Sequence, residues 1–447
     1  MTNDANPGEK PLPAKKAFWL ALGGTFLFVC AYSLSNNQYS MAFREFLQNP
    51  GSLPAFFASD YFSGLEYGYI GNHLASGHGF VGPFSDLKAP TATMPPVLPL
   101  VYAGIFYLLG FKTVWSFWAI FVLRIFAVGG GFFLLFRLSL HARAQGLISW
   151  RNGLLHVAVV FSLLFAMGNL FFFYYDEWFL WFVASLALFF AQKLLSHTRR
   201  PALHASLFGI FIGGVTLTQT VAGAALLAAI ALTGLKLRRY TLLLAIPAAI
   251  AVTAPWIFRN YLIFHEFMPV KSNLGFELYF STVHESKGIL ILEEQNQSKK
   301  HPIKEGPEKE FALKLGEQEY QRRKTAEFLE ILRNEPMRYI KKIGYRMLYS
   351  TVVFPYSSEE QKVQAPAWPF LKYLVYPAVF VFWFLQWFMP GRHDPFILFC
   401  LLLYACYLTP YILINFWLKY WVHMLPLYAV IVAYSSAEFY RRHMREE

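Results

Sequence analysis

VWSFWAIFVLRIFAVGGGFFLLFR, residues 114–137, is an apolar run between Lys112 and Arg137 whose one internal charge is Arg124. A hydrocarbon core about 30 Å thick is crossed by about 20 helical residues rising 1.5 Å each, so this stretch is long enough to span. Similar runs lie near 17–35, 94–111, 152–174, 177–196, 202–217, 220–235, 241–258, 367–389, 395–414 and 418–437. The composition agrees: of 447 residues 56% are hydrophobic, 19% aromatic and only 15% charged. The mean hydropathy is +0.37. Soluble domains carry about 25% charged residues, so disordered, fibrous, secreted disulfide-rich and ordinary cytosolic classes are excluded. The expectation is an all-α polytopic membrane protein, a single transmembrane domain over 17–447 behind a cytoplasmic segment 1–16. Gly129-Gly130-Gly131 inside the quoted stretch predicts close helix packing there.

The excess of 39 Lys and Arg over 27 Asp and Glu gives a net charge of +12. No basic stretch is interleaved with base-stacking aromatics, so nucleic acid is not an expected partner. Basic residues instead gather in loops that stay cytoplasmic. Arg137, Arg143 and Arg151 mark one such loop, Lys193, Arg199 and Arg200 a second, and Lys236, Arg238 and Arg239 a third. Arg441, Arg442 and Arg445 put the C-terminus on the same side. These assignments conflict if every run spans. They agree if 94–111 lies in the outer interface, where Pro95, Pro96 and Pro99 are tolerated. That leaves ten spanning helices with both termini inside. Cys30, Cys400 and Cys406 all lie in or beside apolar runs, which predicts packing rather than a disulfide framework or zinc.

Two long outer loops follow, 36–113 and 259–366. The second carries the polar run Glu293–Gln297 with Lys299 and Lys300, then helical spacing from about 308 to 349. Its basic residues suit either a helix on phosphate-bearing lipid or a solvated lid. In the first, Glu66 begins a helical run that closes on Gly77, with Asp60 upstream. Asp176-Glu177, Gln219, Arg259-Asn260 and Lys419-Tyr420 fall at the outer ends of four further elements. Carboxylates within membrane reach are costly unless partnered and mark a functional site by default. For Asp176-Glu177 the competing reading is a helix N-cap; for Arg259 it is an interfacial anchor.

Such a set suits glycosyl transfer from a lipid phosphate. A carboxylate takes the acceptor's proton, while Lys and Arg hold the phosphate leaving group. The residues resemble the GT-C membrane glycosyltransferases, within them the bacterial relatives of dolichyl-phosphate-mannose protein mannosyltransferases and lipid A aminoarabinose transferase. The stretch Tyr67-Gly-Tyr-Ile-Gly71-Asn-His-Leu74-Ala-Ser-Gly77-His-Gly79-Phe80 resembles their first outer loop, and 89–110 the interfacial helix after it. Pro255-Trp256-Ile-Phe-Arg259-Asn260-Tyr261 with Pro269-Val-Lys-Ser272-Asn273-Leu-Gly275 is the most specific likeness. Asn334-Glu-Pro336-Met-Arg-Tyr339 and Lys419-Tyr420 with Pro426 resemble later segments.

The resemblance implies a catalytic acid a turn before Tyr67, where this chain has Ser63. Glu66 is the favoured base and Asp60 the alternative, and the second acidic position maps to Asp176-Glu177. Gln219 and Lys419 stand where the family commonly has arginine, and a lysine contacts phosphate as a point charge without the bidentate fork. Tyr67, Arg259, Asn260, Asn273, Lys419, Tyr420 and Gln219 form the expected substrate and phosphate set. A divalent metal, Mg or Mn, stays open with Asp176 and Glu177 as its ligands. The implied function is inverting transfer from a polyprenyl-phosphate sugar to a lipid, glycan or protein acceptor at the extracytoplasmic face of a plasma or inner membrane. The alternatives are a transporter or flippase, or a non-catalytic binder of lipid-linked sugars.

Overall fold

A glycine turn and a set of long apolar helices organise the molecule. The computed structural model describes residues 64–83, 89–144, 176–196, 199–289, 306–353, 369–388 and 394–443, with isolated positions before 64 and at 302. Among them no β-strand forms beyond two isolated bridges, Val81 with Pro90 and Ile289 with Phe416. Helices α1 (Leu65–Ala75) and α2 (Val97–Leu109) pack on each other. Gly71 makes this possible: a Cβ there would sit 2.8 Å from Tyr102 Cβ and 3.1 Å from the Pro99 carbonyl. The chain enters α1 through Gly64 at φ 97°, where a Cβ would meet the Tyr102 ring at 2.7 Å. Only glycine satisfies both conditions without strain.

Next come α3 (Val114–Ala144), α4 (Glu177–Leu195), α5 (Pro201–Thr216) and α6 (Thr220–Lys236). The glycine cluster of α3 faces α4. Gly131 abuts the Trp181 indole and Gly130 the Phe182 ring, while Trp181 Nε1 donates to the Val128 carbonyl at 3.1 Å. A short 3-10 turn (Tyr240–Leu244) leads into α7 (Ala245–Phe264), which packs along α5. Gly209 and Gly213 let the two backbones approach.

Among the described residues, four segments are long and apolar enough to cross a membrane: Val114–Leu140, Glu177–Leu195, Tyr240–Phe264 and Pro395–Leu413. Large side chains such as Val122, Phe126, Leu207, Ile210, Phe258, Leu262, Phe384 and Phe388 stand exposed on helix flanks. A soluble protein would bury bands of this kind, whereas lipid solvates them. The chain is therefore an all-α membrane protein. The expected runs 17–35, apart from isolated positions, and 152–174 lie outside the described residues, as do Asp60, Ser63 and the polar run 293–300.

The second loop is helical in pieces: α8 (Leu274–Val283), α9 (Pro307–Leu315), α10 (Glu317–Asn334) and α11 (Pro336–Thr351). The spacing from 308 to 349 reads as one run, but Gly316 (φ 77°) and Pro336 divide it into three. Helices α12 (Pro369–Phe388) and α13 (Pro395–Leu413) follow. The last apolar run divides too. A short α14 (Leu418–His423) stops at Met424 before α15 (Leu425–His443), so Lys419 and His423 lie on their own element. Cys400 is buried and Cys406 half-buried, and both are free thiols.

Candidate active site

Asp176 occupies the N-cap position of α4, yet its side chain makes no capping hydrogen bond. At the start of α13, by contrast, Asp394 accepts from the Phe396 and Ile397 amides. Asp176 instead faces two other elements, α1 and α14. Tyr67 Oη of α1 donates to Asp176 Oδ2 at 3.5 Å, and Lys419 Nζ of α14 lies 3.9 Å from Asp176 Oδ1. His423 Nε2, one turn further on, is 3.9 Å from both Asp176 Oδ1 and Glu177 Oε1. All of these side chains are buried, with Glu177 at 0%, His423 at 1% and Asp176 at 3% exposure.

Glu66 sits in the first turn of α1 beside this group, 7% exposed. Its Oε2 accepts no hydrogen bond among the described residues. Burial pushes its carboxyl up to about 7, against the pull of a backbone hydrogen bond and the Lys419 and Lys271 charges; Asp176 adds to the rise. Burial likewise raises the Tyr67 phenol, with Asp176 and Glu66 adding to it, and lowers the Lys271 ammonium.

Lys271 was not singled out from the sequence, and the turn that delivers it is built by residues that were. Asn260 Nδ2 donates to the Met268 and Val270 carbonyls, and Trp256 Nε1 also donates to Val270. Beyond Lys271, Ser272 is fixed by Glu317 Oε1 at 2.6 Å. Glu317 also receives the Thr91 hydroxyl and the Ala92 amide, tying α10 to the loop before α2. Arg259 belongs to this scaffold. It donates to the carbonyls of Thr91 (2.9 Å) and Phe80 (3.1 Å) and lies over the Trp256 and Phe80 rings. The Pro255–Gly275 stretch thus works here as a brace that positions Lys271.

Asn273 and Asn415 both donate to Glu277 of α8, which faces Lys271. Gln219 caps α6 by accepting from the Val221 amide and donates to the Tyr411 hydroxyl at 3.2 Å. The Tyr411 ring stacks on Tyr420 at 4.1 Å. The structure therefore gathers Glu66, Tyr67, Asp176, Glu177, Lys419 and Tyr420, keeps Gln219 and Asn273 one contact away, and leaves Arg259 and Asn260 in the supporting brace. His423, Lys271, Glu277 and Tyr407 were missed. His423 was legible in one respect, since it stands four residues after Lys419 and shares its helical face.

Chemically, the site holds a buried carboxyl poised to exchange a proton near neutrality and two ammonium groups near it. Such an arrangement can accept a proton from a neutral nucleophile and hold an anion. Compared with protein-family models, with curated proteins and with solved structures, the chain matches none.

Proposed function

We propose that the protein is a multi-pass membrane glycosyltransferase of the GT-C kind, with about ten spanning helices and its active site at the extracytoplasmic face of a plasma or inner membrane. The donor is a sugar on a polyprenyl phosphate, and the acceptor is the hydroxyl or amine of a lipid, glycan or protein. Glu66 removes the acceptor's proton as that atom attacks the anomeric carbon. The bond from this carbon to the phosphate oxygen breaks, and Lys271 and Lys419 stabilise the charge left on the lipid phosphate. Attack opposite the leaving group inverts the anomeric centre. Asp176 and Glu177 orient Lys419, and the stacked Tyr411 and Tyr420 rings offer an aromatic face to the sugar.

One observation carries this reading: Glu66 is a buried carboxyl with one oxygen that accepts no hydrogen bond among the described residues and a titration raised to about 7, set among two lysines from different elements. A flippase would need its polar groups near the bilayer midplane on broken helices, whereas these cluster where α4 and α14 begin. The test is Glu66→Gln in reconstituted membranes with a radiolabelled polyprenyl-phosphate sugar. Loss of transfer by at least about a hundredfold with donor binding retained is expected. Full transfer by this variant overturns the role of Glu66, and donor binding without any transfer by the native chain selects the non-catalytic binder.

A further inference from the structure

We propose that Asp176, Glu177 and His423 form a binding site for a divalent first-row transition-metal ion, with His423 Nε2, Asp176 Oδ1 and Glu177 Oε1 as its protein ligands. One oxygen or nitrogen from each residue lies within 4.8 Å of the others. All three atoms are buried and take no hydrogen bond among the described residues. An acidic pair alone would say little. The imidazole is what points to an ion.

Tyr407 Oη donates its one proton to the Tyr420 carbonyl at 2.9 Å and lies 3.2 Å from His423 Nδ1. With its proton committed, Oη can only accept, so the hydrogen-bond network assigns the imidazole proton to Nδ1. In the neutral ring, the form that ligates a metal, Nε2 then turns a lone pair toward two carboxylate oxygens, each 3.9 Å away. Three lone pairs converging in a buried space repel unless positive charge offsets them; Lys419 Nζ, 3.9 Å from Asp176 Oδ1, supplies part of it and a cation among the three ligands the rest. The 3.9 Å separations are too long for N–H···O hydrogen bonds. They are about half an ångström wider than the ~3.4 Å between donors that share a tetrahedral ion at about 2.0–2.2 Å, so the ligands close in when the ion binds. The Tyr407 contact is the outer partner that ligating histidines use to fix their tautomer and ring plane. One imidazole with two carboxylates suits Mn2+ or Zn2+ better than an all-oxygen cation or a thiolate-seeking one.

Charge balance agrees. Asp176, Glu177 and Glu277 set three acid side chains against the two ammonium groups of Lys271 and Lys419, and Glu66 adds a fourth negative charge once it gives up its proton near pH 7. A divalent ion cancels that excess in a medium where unpaired charge is costly. The inference stands on ligand geometry and not on the transfer reaction, so either can fail without the other.

The test uses the full-length protein in lipid nanodiscs, stripped with chelator and titrated with Mn2+. Loss of the free-ion paramagnetic resonance signal should show one Mn2+ per chain. The spin-echo envelope of the complex should carry modulation from a coordinated imidazole nitrogen. Asp176→Asn and His423→Gln should each weaken binding at least about tenfold, and His423→Gln should abolish the nitrogen modulation. Tyr407→Phe, which keeps every ligand, should weaken binding about 10–100-fold. If a ligand variant does not fold, the native spin-echo spectrum and Tyr407→Phe still decide. No stoichiometric Mn2+ in the native chain, binding without nitrogen modulation, or affinity unchanged in Tyr407→Phe overturns the site.

Discussion

Replacing Glu66 by Gln should make the protein more tolerant of alkaline pH while removing its activity. A carboxyl ordinarily near 4.5 and held at about 7 in the fold resists ionisation. Below 4.5 the folded and unfolded chains both carry the proton, and the stability gained by keeping Glu66 neutral is fully present. As pH rises, the unfolded chain releases its proton first, so stability falls by about 1.4 kcal/mol per pH unit until the folded carboxyl ionises near 7. Across pH 5 to 8 the native protein should lose about 2–3 kcal/mol on this account. A Gln side chain has no proton to release and removes that slope. Its amide brings a new donor into a buried place, at a cost of about 1–3 kcal/mol, but that cost does not vary with pH. The diagnostic quantity is therefore the difference in pH dependence between native and variant, not their stability at one pH.

Thermal unfolding in detergent with chelator present, at pH 5, 6, 7 and 8, measures this directly. The native midpoint should fall by a few degrees more than that of Glu66→Gln over the series. Transfer by the native protein should rise over the same range, since the ionised fraction of a group titrating at about 7 grows from about a tenth at pH 6 to about nine tenths at pH 8. Parallel stability curves for the two proteins would mean that Glu66 ionises like an ordinary surface carboxylate, and the assignment of the base would fall with it.

Lys271→Met should raise the Glu66 midpoint further, because a positive charge that favours the carboxylate is gone; a pH–rate profile that shifts to lower pH contradicts this. The same variant and Lys419→Met should each raise KM for the donor more than for the acceptor, and equal effects on both substrates would separate these lysines from the phosphate. Arg259→Ala should cost about 2–3 kcal/mol, since the Thr91 and Phe80 carbonyls lose their donor. Proteolysis should then appear within 80–92, and an intact loop would refute the brace. Gly64→Ala should destabilise by about 2–4 kcal/mol through the strained φ and the Tyr102 ring, whereas an unchanged melting midpoint would show that the entry to α1 relaxes.

Much of the helical layout was legible because lipid imposes a one-dimensional rule: apolar length at 1.5 Å per residue. The rule found α3, α4, α5, α6, α7 and α13 within a few residues at most ends, and close packing at the glycine cluster followed from its place inside an apolar run, although its partners Trp181 and Phe182 did not. It failed where helices are interrupted without losing polarity or apolarity. Gly316 and the Glu335-Pro336 step leave the 308–349 periodicity intact, and Met424 separates α14 from α15 with an apolar side chain.

The site was legible in its acids for a related reason. In a chain with so few charges, a carboxylate beside an apolar run is conspicuous whatever it contacts. Basic residues are not conspicuous, because cytoplasmic loops, interfacial anchors and phosphate ligands all use them. Arg259, near the end of α7, and Lys271, in the turn beyond it, lie twelve residues apart, and sequence drew attention to the arginine. Side-chain reach decides between them. The Arg259 fork closes on two backbone carbonyls and an aromatic face, which spends its planar donors on architecture. Lys271 follows a turn pinned by Asn260 and Trp256, which leaves a compact point charge facing Glu66, Asp176 and Lys419. Two lysines are brought together only if both are attracted by more negative charge than they carry. The four carboxylates around them supply that excess, and it is the same excess that makes a cation at His423 the consistent completion of the site.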